Sequence, residues 1–223
     1  MTHQKPIFVS YYTKNTLYEK EAQDLVASLK KFGLQHDVCA IEDRGSWSKN
    51  CCYKPEFLLK KLEEHKAPLI WTDADSVIVK KPDFFDTCYA DCSFYVNDHV
   101  EPNHEAKILS GTFYVANTAS AKKLLTLWKK ECERMLSSYK GTVLDQVALR
   151  RVVLHYPTIV EMKRLPEKYI RIVRTREDRE EPGDAVIVHY QASRITRTFE
   201  ENDVTPAFTQ ALSSQELKRV HTD

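Results

Sequence analysis

The feature that most constrains the fold is the alternation of apolar periods over the first 72 residues. "PIFVSYY" is a short run rich in β-formers. Leu17, Ala22, Leu25, Val26, Leu29 and Phe32 then recur at helical intervals. They follow a Thr16-x-x-Glu19 spacing that predicts a capping box and precede Gly33, a natural helix stop. "HDVCAI" predicts a second strand and "EDRGSWSKNCCY" a loop. Lys54-Pro55 opens another helix, with proline in the first turn and Phe57, Leu58 and Leu62 on its buried side, and "PLIWT" is the third strand. Strand–helix–strand–helix–strand implies an α/β domain with a mostly parallel central sheet flanked by helices, because parallel neighbours need a crossover connection.

Beyond residue 75, "SFYV" and "ILSGTFYVAN" read as strands. An amphipathic helix is predicted over about 119–137, with Ala121, Leu124, Leu125, Trp128, Cys132 and Met135 on one face. "VLDQVALRRVVL" predicts a shorter helix, "TIVEMKRLP" and "DAVIVHYQ" two more strands, and "RTREDREEPGD" a solvated turn. At 223 residues, division into two domains would leave small cores.

Thirty-three basic residues are matched by thirty-two acidic ones, so the chain carries no nucleic-acid footprint. Five glycines, with no GxGxxG or GxxxxGK[ST], argue against a glycine-rich phosphate cradle. "MTHQKPIFVSYY" lacks the build of a signal peptide, and no apolar run reaches the ~20 residues that span a bilayer. The six cysteines follow no disulfide framework, so a reduced, cytoplasmic location is expected. Cys88, Cys92, His99 and His104 have ligand-like spacings, but "CSFYVN" between them reads as a strand, and the gap is too short for a ββα zinc finger.

The chemistry concentrates in "PLIWTDADSVIVKKPDFF", where an apolar strand runs into Asp73 and Asp75 and then resumes. In an extended segment the side chains of residues i and i+2 point the same way, so the two carboxylates converge while Ala74 faces the packing. Two ionised carboxylates held close repel each other, and a divalent cation removes that penalty. Oxygen donors of this kind suit Mg²⁺ or Mn²⁺, and ligands of parallel α/β sheets sit at the carboxyl ends of strands.

This segment resembles the DxD motif of nucleotide-sugar-dependent glycosyltransferases with the GT-A fold. "SYYTKNTLY", "KPEFLLKKL", "LSGTFYVANT", "LDQVAL" and "VIVHYQASR" fall in that family's order over roughly residues 6–197. The resemblance implies one GT-A-like, Rossmann-like domain over 1–223. Its nucleotide-binding half would be about 6–97, its acceptor-side half about 98–197 and its C-terminal tail about 198–223. It implies Asp73, Asp75 and His189 as ligands of Mn²⁺ (or Mg²⁺), the imidazole favouring Mn²⁺. It also places Tyr11, Tyr12, Thr13, Lys54, Asp73, Gly111 and Arg194 around the donor, with Arg197 a second possible cation for the diphosphate. Asp145 and Gln146 border the reacting groups: Asp145 as base if the enzyme inverts, Gln146 in support of front-face attack if it retains. Trp47 is a candidate wall of a sugar pocket or a loop anchor. The implied partners are a UDP- or GDP-linked sugar donor and a glycan, lipid or protein acceptor, without nucleic acid or a transmembrane segment.

Two other readings fit the same aspartates. Asp73-Ala-Asp75-Ser-Val77 also satisfies the DxDx[TV] pattern of haloacid-dehalogenase-like phosphatases, with Asp73 as nucleophile. About seventy residues of α/β structure precede it here, and the late acidic motif is missing. A nucleotide-sugar binding module without turnover is the non-enzymatic alternative.

Overall fold

The computed structural model describes residues 4–173 and 182–190. The chain runs β1 (Ile7–Thr13), α1 (Tyr18–Lys31), β2 (His36–Ile41), α2 (Trp47–Cys52), α3 (Lys54–His65), β3 (Leu69–Thr72) and β4 (Ser76–Ile78). It continues through β5 (Cys92–Val96), β6 (Ile108–Val115), α4 (Ala119–Ser138), α5 (Asp145–His155), β7 (Met162–Arg164), β8 (Arg171–Ile172) and β9 (Ile187–His189). A six-stranded sheet has the order β2-β1-β3-β6-β5-β7, and β4, β9 and β8 form a small second sheet. The large sheet is mostly parallel: β6 alone reverses, pairing antiparallel with β3 and β5.

Alternation along the central strands explains why both faces of the sheet are covered. Val9, Leu69, Trp71, Phe113 and Val115 point to one face and pack under α3, α4 and α5. Phe8, Ile70 and Tyr114 point to the other, against Leu25 and Leu29 of α1 and the Phe85 turn. Each large apolar side chain removed from water contributes about 1.5–3 kcal/mol, so this two-sided burial fixes the register of the strands that carry the site.

Three local expectations need correction. The capping box does not form: Thr16 Oγ1 donates to the Thr13 carbonyl at 2.7 Å, and α1 starts with no side-chain cap. Leu17 is therefore exposed rather than part of the buried face. "EDRGSWSKNCCY" is not all loop, because Ser46 Oγ accepts from Lys49 N–H and caps the six-residue α2. A helix that short has no periodicity to read. Trp47 in it donates from Nε1 to Tyr18 Oη at 3.4 Å, which anchors α2 to α1. Gly33 does stop α1, with φ at 63°, in the left-handed region that glycine enters without strain.

Candidate active site

Asp73 lies just past the carboxyl end of β3, where its N–H donates to the Gly111 carbonyl of β6 at 2.9 Å. The chain then turns, and Ser76 N–H donates to the Asp73 carbonyl at 3.0 Å. The two aspartates thus converge through a tight turn rather than through an extended pleat. The physical reason is that β3 and β4 belong to different sheets, so the chain must change direction between them. Ala74 faces the packing and is buried.

The second sheet delivers the third group. β4 pairs with β9 so that Ser76 stands opposite His189, and Tyr190 N–H donates to the Asp75 carbonyl at 2.9 Å. Asp75 and His189 are buried and Asp73 is half-buried; one ligand atom from each lies within 4.8 Å of the others. Burial pushes the His189 imidazole down to about 4, with Lys54 adding to that effect and Asp73 opposing it. It is neutral near pH 7, the form that ligates metals. Thr112 Oγ1 engages its Nε2 at 2.9 Å, which orients the ring as partners of ligating imidazoles do.

Gly111 makes this convergence sterically possible. A Cβ there would sit 3.0 Å from Asp73 Oδ2 and 3.1 Å from both His189 Cε1 and Ile170 Cδ1. The residue also lies in a bulge: along β5 the pairing passes from Phe94 opposite Phe113 to Tyr95 opposite Leu109. Ser110, Gly111 and Thr112 therefore have no counterpart in β5, and each turns to the site instead.

Lys54, at the start of α3, is buried rather than a surface lysine. Its Nζ lies 2.8 Å from Asp145 Oδ2, 3.2 Å from Asp73 Oδ1 and 3.2 Å from both oxygens of Ser110. Burial would lower its pKa, but Asp145 and Asp73 outweigh that and hold the ammonium above its ordinary value. Trp71 Nε1 donates to the same Asp73 Oδ1 at 2.8 Å. One carboxylate oxygen is thus anchored by two donors, while Oδ2 faces Gly111 and His189. Asp145 is also buried: Ser110 Oγ donates to its Oδ2 at 2.8 Å, and Trp128 Nε1 to its backbone carbonyl at 2.8 Å. Gln146 points away, donating from Nε2 to the Glu105 carbonyl at 3.0 Å.

Of the two tyrosines after β1's apolar start, Tyr11 is closed off in the core. Its ring packs between Tyr53, Phe57 and Trp71, and its hydroxyl donates to the Asn50 carbonyl at 2.6 Å. Tyr12 is half-buried and Thr13 buried at the strand end. Arg194 and Arg197 lie outside the described residues. Cys88 and Cys92 are buried while His99 and His104 are exposed, and among the described residues they form no cluster of ligand atoms.

The sequence reading missed Trp71, Ser110 and Thr112. Trp71 was findable, since it stands two residues before Asp73. The other two flank Gly111, but only the bulge turns both toward the site. A cavity of about 490 Å³, lined by Arg44, Tyr53, Lys129 and Cys132 among others, touches none of Asp73, Asp75 and His189.

A mostly parallel central sheet flanked by helices gives the domain a GT-A-like architecture. The chain belongs to the nucleotide-diphospho-sugar transferase family, whose model matches residues 43–198. It is accordingly a glycosyltransferase. No curated protein matches its sequence. Among solved structures it is similar to a glycosyltransferase involved in the glycosylation of the major capsid of PBCV-1. That likeness has a TM-score of 0.59 and 17% identity, covering 87% of this chain and 98% of that one. It is also similar to mouse xyloside xylosyltransferase 1 in its apo form, with a TM-score of 0.53 and 10% identity, covering 84% and 98%. At these identities the likeness shows the fold. The phosphatase reading gives way, because the residues before Asp73 build β1 and β3 of the same central sheet.

Proposed function

We propose that the protein transfers a glycosyl group from a UDP- or GDP-linked sugar to an acceptor hydroxyl, with Asp73, Asp75 and His189 holding a divalent cation. The observation that carries this reading is the convergence of three ligand atoms within 4.8 Å against a glycine with no side chain to fill the space. The donor set fits the ion: two carboxylates and a neutral imidazole favour Mn²⁺ over Mg²⁺. Asp73, Asp75, Asp145, Lys54 and His189 together are two charges negative, three carboxylates against one ammonium. When bound, a divalent cation supplies Lewis-acid neutralisation of the charge that develops on the departing nucleoside diphosphate.

The chain's own residues do the positioning. Trp71 and Lys54 fix Asp73 through Oδ1 and leave Oδ2 facing the shared space. Asp145, turned toward Lys54 and Ser110, acts in our reading by holding Lys54 in place, rather than as the base that an inverting mechanism would require of it. Gln146 braces the segment around Glu105 on the acceptor side. Tyr12 and Thr13 at the end of β1 border the nucleoside, and Arg194 is a candidate cation for the diphosphate. In the transfer itself the acceptor oxygen bonds to the anomeric carbon as the bond to the β-phosphate oxygen breaks. The bonding pair leaves on the diphosphate, and the hydroxyl proton passes to solvent or a base.

The test is thermal stabilisation by UDP and GDP with and without Mn²⁺. The wild type gains stability only with both present, since a ligand that binds the folded state alone raises it by mass action. Asp75→Ala loses that gain. An undiminished gain in the variant would refute the metal assignment, and turnover of a UDP- or GDP-sugar then separates an enzyme from a binding module.

A further inference from the structure

A second cavity, of about 300 Å³, opens between the end of β5, the start of β6 and β8. It shares Ile170 with the proposed donor site, for Ile170 Cδ1 is one of the three atoms nearest the missing side chain of Gly111. β8, which forms one wall with Arg171 and Ile172, pairs with β9 so that Ile172 stands opposite His189. The cavity and the carboxylate–imidazole cluster are therefore neighbours, joined through Ile170 and through the β8–β9 pairing.

The lining indicates what would fit. Five of the eight residues around the cavity are polar: Tyr95, Asn97, His99, Glu167 and Arg171 among them supply a ring, an amide, an imidazole, a carboxylate and a guanidinium. The carboxylate accepts, the guanidinium donates, and the Asn97 amide donates through Nδ2, its Oδ1 already accepting from the His99 N–H at 3.0 Å. Together they match hydroxyls that each donate and accept. The remaining three, Ile170 among them, give a small apolar floor. A lipid would require a longer apolar wall. A peptide would require an extended groove, whereas this volume is at the lower end of the ~300–1,000 Å³ usual for small-molecule pockets. The bulge contributes here too: Tyr95 pairs with Leu109 only because Ser110, Gly111 and Thr112 of β6 have no counterpart in β5.

We propose that this cavity is the acceptor subsite and that it takes a single saccharide ring, presenting a hydroxyl beside Ile170 toward the donor. The proposal rests on the transferase reading and adds to it the chemical class of the acceptor.

The full chain is tested by saturation-transfer NMR with glucose, galactose, mannose, xylose, N-acetylglucosamine and their methyl glycosides. The wild type is expected to bind at least one of them. Glu167→Ala and Arg171→Ala both remove exposed side chains, and unchanged melting temperatures check that each variant folds. Each is expected to weaken that sugar about tenfold, the loss of one good hydrogen bond. The stabilisation by UDP with Mn²⁺ stays at the wild-type value. Absence of any saccharide binding to the wild type, or binding that survives both substitutions, overturns the proposal. If the wild type shows no nucleotide-dependent stabilisation, the donor reading fails separately, because the sugar titrations are run without nucleotide.

Discussion

Two groups of acids with a histidine meet the same distance criterion for a metal: Asp73, Asp75 and His189 at the end of β3, and Asp37, Glu64 and His65 between β2 and α3. They differ in what already sits among the acids. In the second group Lys61 Nζ bridges Asp37 at 2.8 Å and Glu64 at 2.7 Å, and His65 Nε2 shares the same Asp37 oxygen at 2.8 Å. Its cation is built into the chain, and Glu64 is exposed. In the first group Lys54 reaches Asp73 through one oxygen from the Asp145 side, leaving the other turned toward a buried imidazole and a glycine. Equal ligand distances thus come with different burial and a differently placed lysine, and it is this difference that favours the first group in the proposed reading.

The largest expected effect sharpens this contrast. Lys54→Met leaves Asp145 and Asp73 without their buried counter-charge and should cost about 3–5 kcal/mol in denaturant unfolding, whereas Lys61→Met should cost ~1 kcal/mol or less. Equal losses would break the comparison. Next comes pH. Folded His189 stands at about 4 against 6.5 for the free side chain, so between those values the unfolded chain binds more protons and stability rises with pH. Its contribution is full above pH 6.5 and is lost as the pH falls toward 4, a change of about 3 kcal/mol. In metal-free protein His189→Gln should flatten that part of the melting-temperature profile, and an unaltered slope would place the titration elsewhere.

Gly111→Ala follows. The added Cβ meets two site side chains at 3.0 and 3.1 Å, so a cost of about 1–3 kcal/mol is expected, together with loss of Mn²⁺-dependent nucleotide stabilisation. A variant that binds normally would show that the cluster has slack. The smallest effect is at Asp37. Burial opposes its ionisation, but hydrogen bonds from Cys39, Lys61 and His65 hold it at about 2. That stabilisation is present above pH 3.8 and fades as the pH falls through 2, and Asp37→Asn should cost less than about 1 kcal/mol at pH 7 with nucleotide binding intact.

Most of the fold was legible because its elements are long and periodic. β1, α1, β2, α3 and β3 follow the predicted order, and α4 places Leu124, Leu125, Trp128 and Cys132 on the buried face where the 3.6-residue period puts them. The reversal of β6 was not legible, since the period of two is the same in either direction. Tyr11 shows a similar limit at the site: an aromatic residue at a strand end reads alike whether it packs inward or faces a ligand, and three neighbouring rings enclose it.

By itself the sequence determined the apolar periods, hence the layered α/β architecture, and two carboxylates one residue apart at a strand terminus. Only the tertiary structure decided that β4 leaves the central sheet, that β9 brings His189 to Ser76, and that a bulge turns Ser110, Gly111 and Thr112 toward the same point. Thr112 and His189 touch across 77 positions of chain. Side-chain periodicity records which face of an element is buried, but the pairing of distant strands depends on hydrogen bonds that every residue's backbone can make.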